Sequence, residues 1–344
     1  MKISVKNIYY MLAYAFQVLR EDVYKKVEAE EFDNIFDLFG AIMSSGCKLL
    51  IKRGLFQDYI ESESELCSLK GKIDLTQSIK RNTMINKKMI CDVDELTFNV
   101  YLNQVIKTTI QFLITQDLKI ETKKALKMIL LYLKDIQVLN LSDINWKIDF
   151  NRTNKHYEVL ISICYMIAKG MILSNKKGHY KVMEYIDDQL MCRLYERFIL
   201  EFYRKECDFI NTSRAKINWQ ISPFDDFIPE MQTDITLTSK NKKEILIIDT
   251  KYYPNILQNR NEYKSNKIRS SHLYQIFTYV TNKAYKSKDF KVSGMLLYAK
   301  SDEEKLPNQD YIICGSKIGV HCLDLEQDFR LIKEYLLSLV EELK

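Results

Sequence analysis

The apolar run Ile245-Leu-Ile-Ile248 ends abruptly in Asp249, Thr250 and Lys251. A short β-branched run bounded by polar residues predicts a buried strand. Side chains alternate along a strand, so Asp249 and Lys251 face the same way, about 7 Å apart. A carboxylate and an ammonium at the end of a buried strand are costly unless they pair, bind a metal or reach solvent. Upstream, Thr233, Ile235 and Leu237 interleave with Asp234, Thr236 and Thr238, which predicts a half-buried strand. The polar stretch Ser239-Lys-Asn-Lys-Lys243 joins the two as a turn, and a hairpin there would bring Asp234 close to Asp249. Two acids and an amine at one point suit Mg²⁺, a hard cation often held by one or two carboxylates plus phosphate and water. Such a metal lowers the pKa of bound water, and the lysine can orient that water or stabilise charge on the phosphate. The same letters also describe a surface hairpin carrying an incidental Asp–Lys pair.

The flanking segments predict a definite order. Asp187 to Lys205 reads as a helix, with Leu190, Met191, Leu194, Phe198, Ile199 and Phe202 repeating at three and four. Glu196 falls within it, either completing a metal site or facing solvent. Ile217 to Ile221 alternates like a strand. Ser271 to Ala284 is a helix with Leu273, Ile276, Phe277 and Val280 on one side, and Val292 to Tyr298 is another apolar strand. Gln275 and Tyr279 share one face of the second helix, at the site or at the edge of the core. The order of helix, strand, strand with Asp234, strand with Asp249 and Lys251, helix and strand resembles the PD-(D/E)xK nuclease superfamily. Thr233 stands where that pattern has proline. The Gln275-x-x-x-Tyr279 spacing resembles the glutamine-tyrosine element of its RecB-like branch. By that resemblance Asp234, Asp249 and Lys251 are catalytic, with Asp234 and Asp249 holding Mg²⁺ and with Glu196, Gln275 and Tyr279 in support.

Net charge is +5, from 51 basic and 46 acidic residues, which alone says little about nucleic acid. The distribution says more. Lys251 to Lys291 holds nine Lys or Arg against Glu262 and Asp289. Arg260, Lys264, Lys267 and Arg269 follow the acid-bearing strand and form either a phosphate-contacting loop or an ordinary solvated one. The eight cysteines include no Cys-x-x-Cys pair, which argues against a zinc site or a disulfide framework. His272 opens the helix of Gln275, as a helix-start residue or as a neighbour of the site. No Gly-rich phosphate loop is present, so no nucleotide hydrolysis is expected of the chain itself. The start Met1-Lys-Ile-Ser-Val-Lys6 lacks a signal-peptide profile, and no apolar stretch reaches membrane-span length. A cytoplasmic location and no membrane partner are expected.

The amino-terminal half has a different character. Asn7 to Leu19 predicts a helix capped by Asn7 and apolar nearly all round, hence buried or at an interface. Phe32 to Ile51, Phe98 to Gln116, Thr122 to Leu133 and Tyr157 to Leu173 predict further helices, while Gln57 to Leu75 looks extended and hairpin-rich. The expected fold is α+β. A helix-rich domain with a small β insertion spans 1–175, and an α/β nuclease core with a mixed sheet flanked by helices spans 176–344.

Val5-Lys-Asn-Ile-Tyr-Tyr-Met-Leu-Ala-Tyr-Ala-Phe16 resembles the opening of McrC proteins, the nuclease subunits of McrBC modification-dependent restriction systems. Lys52-Arg-Gly54, Leu69-Lys-Gly-Lys-Ile-Asp74, Lys177-Gly-His-Tyr180, Thr233-Asp-Ile-Thr236, Ile248-Asp-Thr-Lys-Tyr-Tyr253 and Leu273-Tyr-Gln275 continue the likeness in order. The resemblance implies Mg²⁺-dependent cleavage of DNA containing 5-methylcytosine. It also implies a partner, an McrB-like AAA+ hexamer that binds and hydrolyses GTP and reads the methylated site. The 1–175 domain would dock on that ring and stimulate it. A hairpin over 57–77 carrying Lys70 and Lys72 would be partner surface or plain structure, and the first helix would be core. Two other functions fit the letters: a subunit that chiefly activates the motor, and a stand-alone RecB-like repair nuclease.

Overall fold

The structure is a computed structural model describing residues 3–16, 19, 22–32, 34–68, 70–175, 188–221, 227–253, 257–260, 265–300 and 306–344. It has two compact units. The helical unit comprises Asp22–Val27 and Phe36–Ile172, and the sheet unit comprises Met1–Glu21, Glu28–Ile35 and Leu173–Lys344. The division at 172 lies near the boundary expected at 175. The first residues depart from the expectation, because they cluster with the carboxy-terminal part rather than with the helices that follow them.

Packing explains the departure. Helix α1 (Val5–Ala15) buries nearly all its residues, which a lone surface helix cannot do. Its Tyr14 ring meets Phe198 at 5.6 Å, Phe202 at 5.4 Å and Phe329 at 5.8 Å. The cap is Ser4, whose side chain accepts from the Asn7 amide, and not Asn7 as expected. Asn7 instead donates its side-chain amide to the carbonyls of Leu325 and Gln327, both at 2.8 Å, tying the helix start to the end of the chain. The short α2 (Lys25–Ala29) follows.

In the helical unit, α3 (Ile35–Arg53), α5 (Tyr101–Ile114), α6 (Ile120–Tyr132) and α7 (Glu158–Asn175) surround buried apolar stripes such as Leu102, Val105, Ile106, Ile110 and Leu113. Asn103 donates to the carbonyls of Phe56 and Phe98 and accepts from the Tyr157 hydroxyl, pinning the chain before and after the unit's sheet. That sheet has three strands, β1 (Asp58–Leu66), β2 (Lys72–Ile73) and β3 (Met89–Thr97), in the order β1-β3-β2, with α4 (Leu75–Lys80) between β2 and β3. The 57–77 segment is therefore no self-contained hairpin. Both of its strands pair with β3, from Asp58 opposite Thr97 to Leu66 opposite Met89 on one side, and through Lys72 and Ile73 on the other.

The sheet unit is built on six strands in the order β12-β13-β11-β8-β7-β4. Their ranges are β4 (Ile210–Ser213), β7 (Ile235–Ser239), β8 (Glu244–Lys251), β11 (Lys291–Ala299), β12 (Gln309–Ile313) and β13 (Ser316–Leu323). β11 runs parallel to β8 and β13, and the remaining pairs are antiparallel, so the sheet is mixed as expected. Helices α8 (Asp188–Glu206), α9 (Ser270–Lys286) and α10 (Phe329–Ser338) belong to the same unit. Two short pairs, β5 (Lys216–Ile217) with β6 (Met231–Gln232) and β9 (Leu257–Arg260) with β10 (Ser265–Ile268), complete it. β7 sits inside the sheet, and Ile235, Thr236 and Leu237 are all buried, so the half-buried alternation expected there is absent. Of the stretch Ile217 to Ile221 only Ile217 lies in a strand, as the second residue of β5. Beyond it the Trp219 indole donates to the Pro229 carbonyl, and the Gln220 amide donates to Asn282, outside any strand ladder. Among the described residues no helix is long and apolar enough to cross a membrane.

Candidate active site

Strand β8 carries its apolar residues into the core and its charged residues to its end. Ile245 and Ile247 pack with Ile276 and Val280 of α9 and with Leu296 and Tyr298 of β11. Asp249 and Lys251 continue on that face. Asp249 is 1% exposed, and the Lys251 Nζ lies 2.6 Å from its Oδ2. The other oxygen, Oδ1, is buried with no hydrogen-bond partner among the described residues. The β7–β8 register ends at Ile235 opposite Ile248, so Asp234 falls across from Asp249. Asp234 occupies a bend just before β7 rather than a strand position. Its Oδ2 accepts from the Thr250 amide at 2.8 Å and from the Thr250 hydroxyl at 3.0 Å. The two acids and the lysine are thus brought together.

Burial pushes the Asp249 carboxyl up to about 6, and Asp234 and Glu196 add to the rise against the opposing pull of Lys251. Burial works against the Lys251 ammonium too, but the charge and hydrogen bond of Asp249 outweigh it and its pKa rises. Near neutrality the pair is therefore an ion pair. Lys251 also donates to the Gln275 side-chain oxygen at 3.1 Å, and the Gln275 amide donates to the Tyr279 hydroxyl at 3.1 Å. The two residues expected on one face of α9 form a relay that holds the lysine. An open groove of about 330 Å³, lined by Trp219, Met231, Tyr274, Gln275 and Tyr279 among others, runs alongside.

Glu196 on α8 lies near enough to be felt, yet it is engaged elsewhere: its Oε1 forms an ion pair with the Arg214 guanidinium, 2.5 Å from a guanidinium nitrogen. Its pKa is raised by burial and by Asp234. Among the described residues no group of three or more His, Cys, Asp or Glu is gathered as a metal site. The donor set on offer is the two carboxylates Asp234 and Asp249. Oxygen donors, one of them a buried atom without a partner, fit a hard divalent cation that fills its shell with water and phosphate.

Of the expected basic loop, the side chains of Lys267 and Arg269 lie among the described residues. Arg269 precedes α9, and its guanidinium lies 5.4 Å from the centre of the Tyr253 ring, a cation–π contact just beyond the end of β8. Lys267 stands exposed on β10. Arg260 belongs to β9 with its side chain outside the described residues, and Lys264 lies outside them altogether, as does Lys177-Gly-His-Tyr180. Lys70 and Lys72 are exposed at the three-stranded sheet of the other unit.

Residues beyond the motif join the site. His272 is buried rather than a surface residue at the helix start. Its Nδ1 is 2.8 Å from the Tyr298 hydroxyl, and Tyr298 pairs with Lys251 in the parallel register. Burial, with Lys251 and Arg269 nearby, lowers the His272 pKa to about 4. The His272 ring lies 5.2 Å from that of Tyr253. His272 stands three residues before Gln275 on α9, a spacing that marks a shared helical face. Thr250, the spacer in the motif, is the residue that holds Asp234.

Comparison with known proteins gives this geometry a family. The model for McrBC 5-methylcytosine restriction system components matches residues 2–299. The chain is 30% identical over 347 residues to the Type IV methyl-directed restriction enzyme EcoKMcrBC of Escherichia coli (strain K12), across 99% of this chain and 98% of that protein. Its fold is similar to that of a chain in the refined half-complex from a tetradecameric assembly of Thermococcus gammatolerans McrB AAA+ hexamers with bound McrC. That match has a TM-score of 0.55 at 16% identity and covers 97% of this chain and 75% of the other. With a family match over most of its length and a relative this similar from end to end, the chain belongs to the McrBC 5-methylcytosine restriction system component family.

Proposed function

We propose that this chain is the DNA-cutting subunit of a GTP-dependent restriction complex directed at methylated cytosine. In this reading Asp234 and Asp249 hold Mg²⁺ and Lys251 assists, in the manner of PD-(D/E)xK nucleases. The observation that carries the reading is the buried, unpartnered Oδ1 of Asp249 beside a lysine held on two sides. A bound Mg²⁺ supplies a Lewis acid for the phosphate and lowers the pKa of water. The protein's own groups do the rest. Asp249, with a pKa near 6, is mostly ionised at neutral pH and offers a ligand oxygen. Thr250 fixes the rotamer of Asp234 with two hydrogen bonds. Lys251 stays charged, so its role is to orient water and to stabilise charge on the phosphate rather than to remove a proton. Gln275 and Tyr279 keep the ammonium aimed, and Arg269, with Lys267, Arg260 and Lys264, contacts the DNA backbone.

The partner in this reading is an AAA+ ring that binds and hydrolyses GTP, met by the helical unit and by the Lys70–Lys72 edge of its sheet. Family membership supports it, as does the similarity to a chain from an assembly of McrB hexamers with McrC. The test is Asp249→Asn in the reconstituted complex. Cleavage should fall by at least about a thousandfold while stimulation of the partner's GTPase persists. Cutting at the normal rate removes Asp249 from the mechanism.

A further inference from the structure

The contact between Arg214 and Glu196 is not part of the motif, and it engages a carboxylate that also feels the charges of Asp234 and Lys251. Arg214 follows β4, and its neighbour Ala215 is fixed to Thr233, the residue before Asp234. The Thr233 amide donates to the Ala215 carbonyl at 3.0 Å, and the Ala215 amide donates to the Thr233 hydroxyl at 3.1 Å. The backbone thus anchors Arg214 next to the Asp234 bend. Its side chain, 44% exposed, reaches that of Glu196, which is 26% exposed and close enough to Asp234 and Lys251 for their charges to act on it. A partly solvated arginine and carboxylate exchange partners readily, because ion pairs open to water contribute little. A guanidinium also suits a phosphate, which it can grip with two parallel hydrogen bonds.

We infer that Arg214 is a positioning residue that occupies Glu196 in the absence of DNA. It passes to a phosphate of the bound strand and so frees Glu196 to join Asp234 and Asp249 around the metal. The inference rests on the proposed metal site, and it names how substrate completes that site. It follows that metal and DNA bind cooperatively, each removing a competitor of the other.

Calorimetric titration of the full chain with Ca²⁺, without DNA, tests the idea. Arg214→Gln should bind Ca²⁺ about fivefold more tightly than the parent chain, because a competing cation is gone. Glu196→Gln should bind Ca²⁺ more weakly. In EDTA, Glu196→Gln should bind a short DNA duplex more tightly, and the salt dependence of its binding should steepen by about one counterion, since Arg214 is released. Asp249→Asn serves as the reference and should lose Ca²⁺ binding. If Asp249→Asn loses binding but Arg214→Gln matches the parent or binds more weakly, Arg214 merely braces α8 and the inference is wrong. If Asp249→Asn binds Ca²⁺ normally, the metal site itself is wrong and the inference falls with it. Should Arg214→Gln fail to fold, the DNA arm with Glu196→Gln decides: no gain in affinity overturns the exchange.

Discussion

Burial makes Asp249 and Lys251 a matched pair rather than two separate charges. Each would be expensive alone in that position, and removing one leaves the other stranded. His272 shows the opposite solution, a buried group kept neutral. Its folded pKa of about 4 lies below the ordinary 6.5. The folded state therefore binds fewer protons than the unfolded chain. The stability this confers is present above pH 6.5 and is lost as pH falls towards 4. The full effect is on the order of 3 kcal/mol. Urea unfolding of His272→Gln should show a smaller loss of stability between about pH 7 and 4 than the parent chain. Equal losses would mean that another group drives the acid response. The motif residues were legible because strand alternation alone puts Asp249 and Lys251 on one face. Tyr298 was not, since it reaches Lys251 only through a parallel register that no local pattern encodes. Glu196 was legible as a residue near the site, but its engagement by Arg214 depends on the path of a short non-repetitive segment.

At the level of elements, the site depends on how closely α9 lies on the sheet. Gly294 of β11 permits that approach. A Cβ there would stand 2.7 Å from a Val280 methyl and 2.8 Å from the Ile276 side chain. Gly294→Ala should cost about 1–3 kcal/mol of stability by overpacking. It should also slow cleavage, because α9 carries Gln275 and Tyr279. Denaturant melts and cleavage rates on the same preparation check both, and an unchanged melt would show that the interface has slack. Helices with a clear three-and-four repeat were readable with small shifts at their ends, as in α5 and α8. β3 is hard to read from the letters because Met89 to Thr97 mixes apolar residues with Asp92, Asp94 and Glu95, without a clean alternation. Without β3 between them, β1 and β2 read as the two arms of a hairpin.

For the whole molecule, the telling feature is that the sheet unit is assembled from both ends of the chain. Its core includes Ile8, Leu12 and Tyr14 of α1 along with Phe198, Phe202 and Leu336. A fragment covering 176–344 should therefore lack a cooperative thermal transition, and co-expression with residues 1–35 should restore one. A fragment that melts as sharply as the full chain would show α1 to be dispensable. Composition could not foretell this, because an apolar first helix fits either unit equally well. A ribosome releases α1 some three hundred residues before α10, at roughly 5–20 residues per second. Helix α1 thus waits on the order of tens of seconds before α10 emerges. A nascent polypeptide cut short before Phe329 leaves the rings of Tyr10 and Tyr14 without that partner.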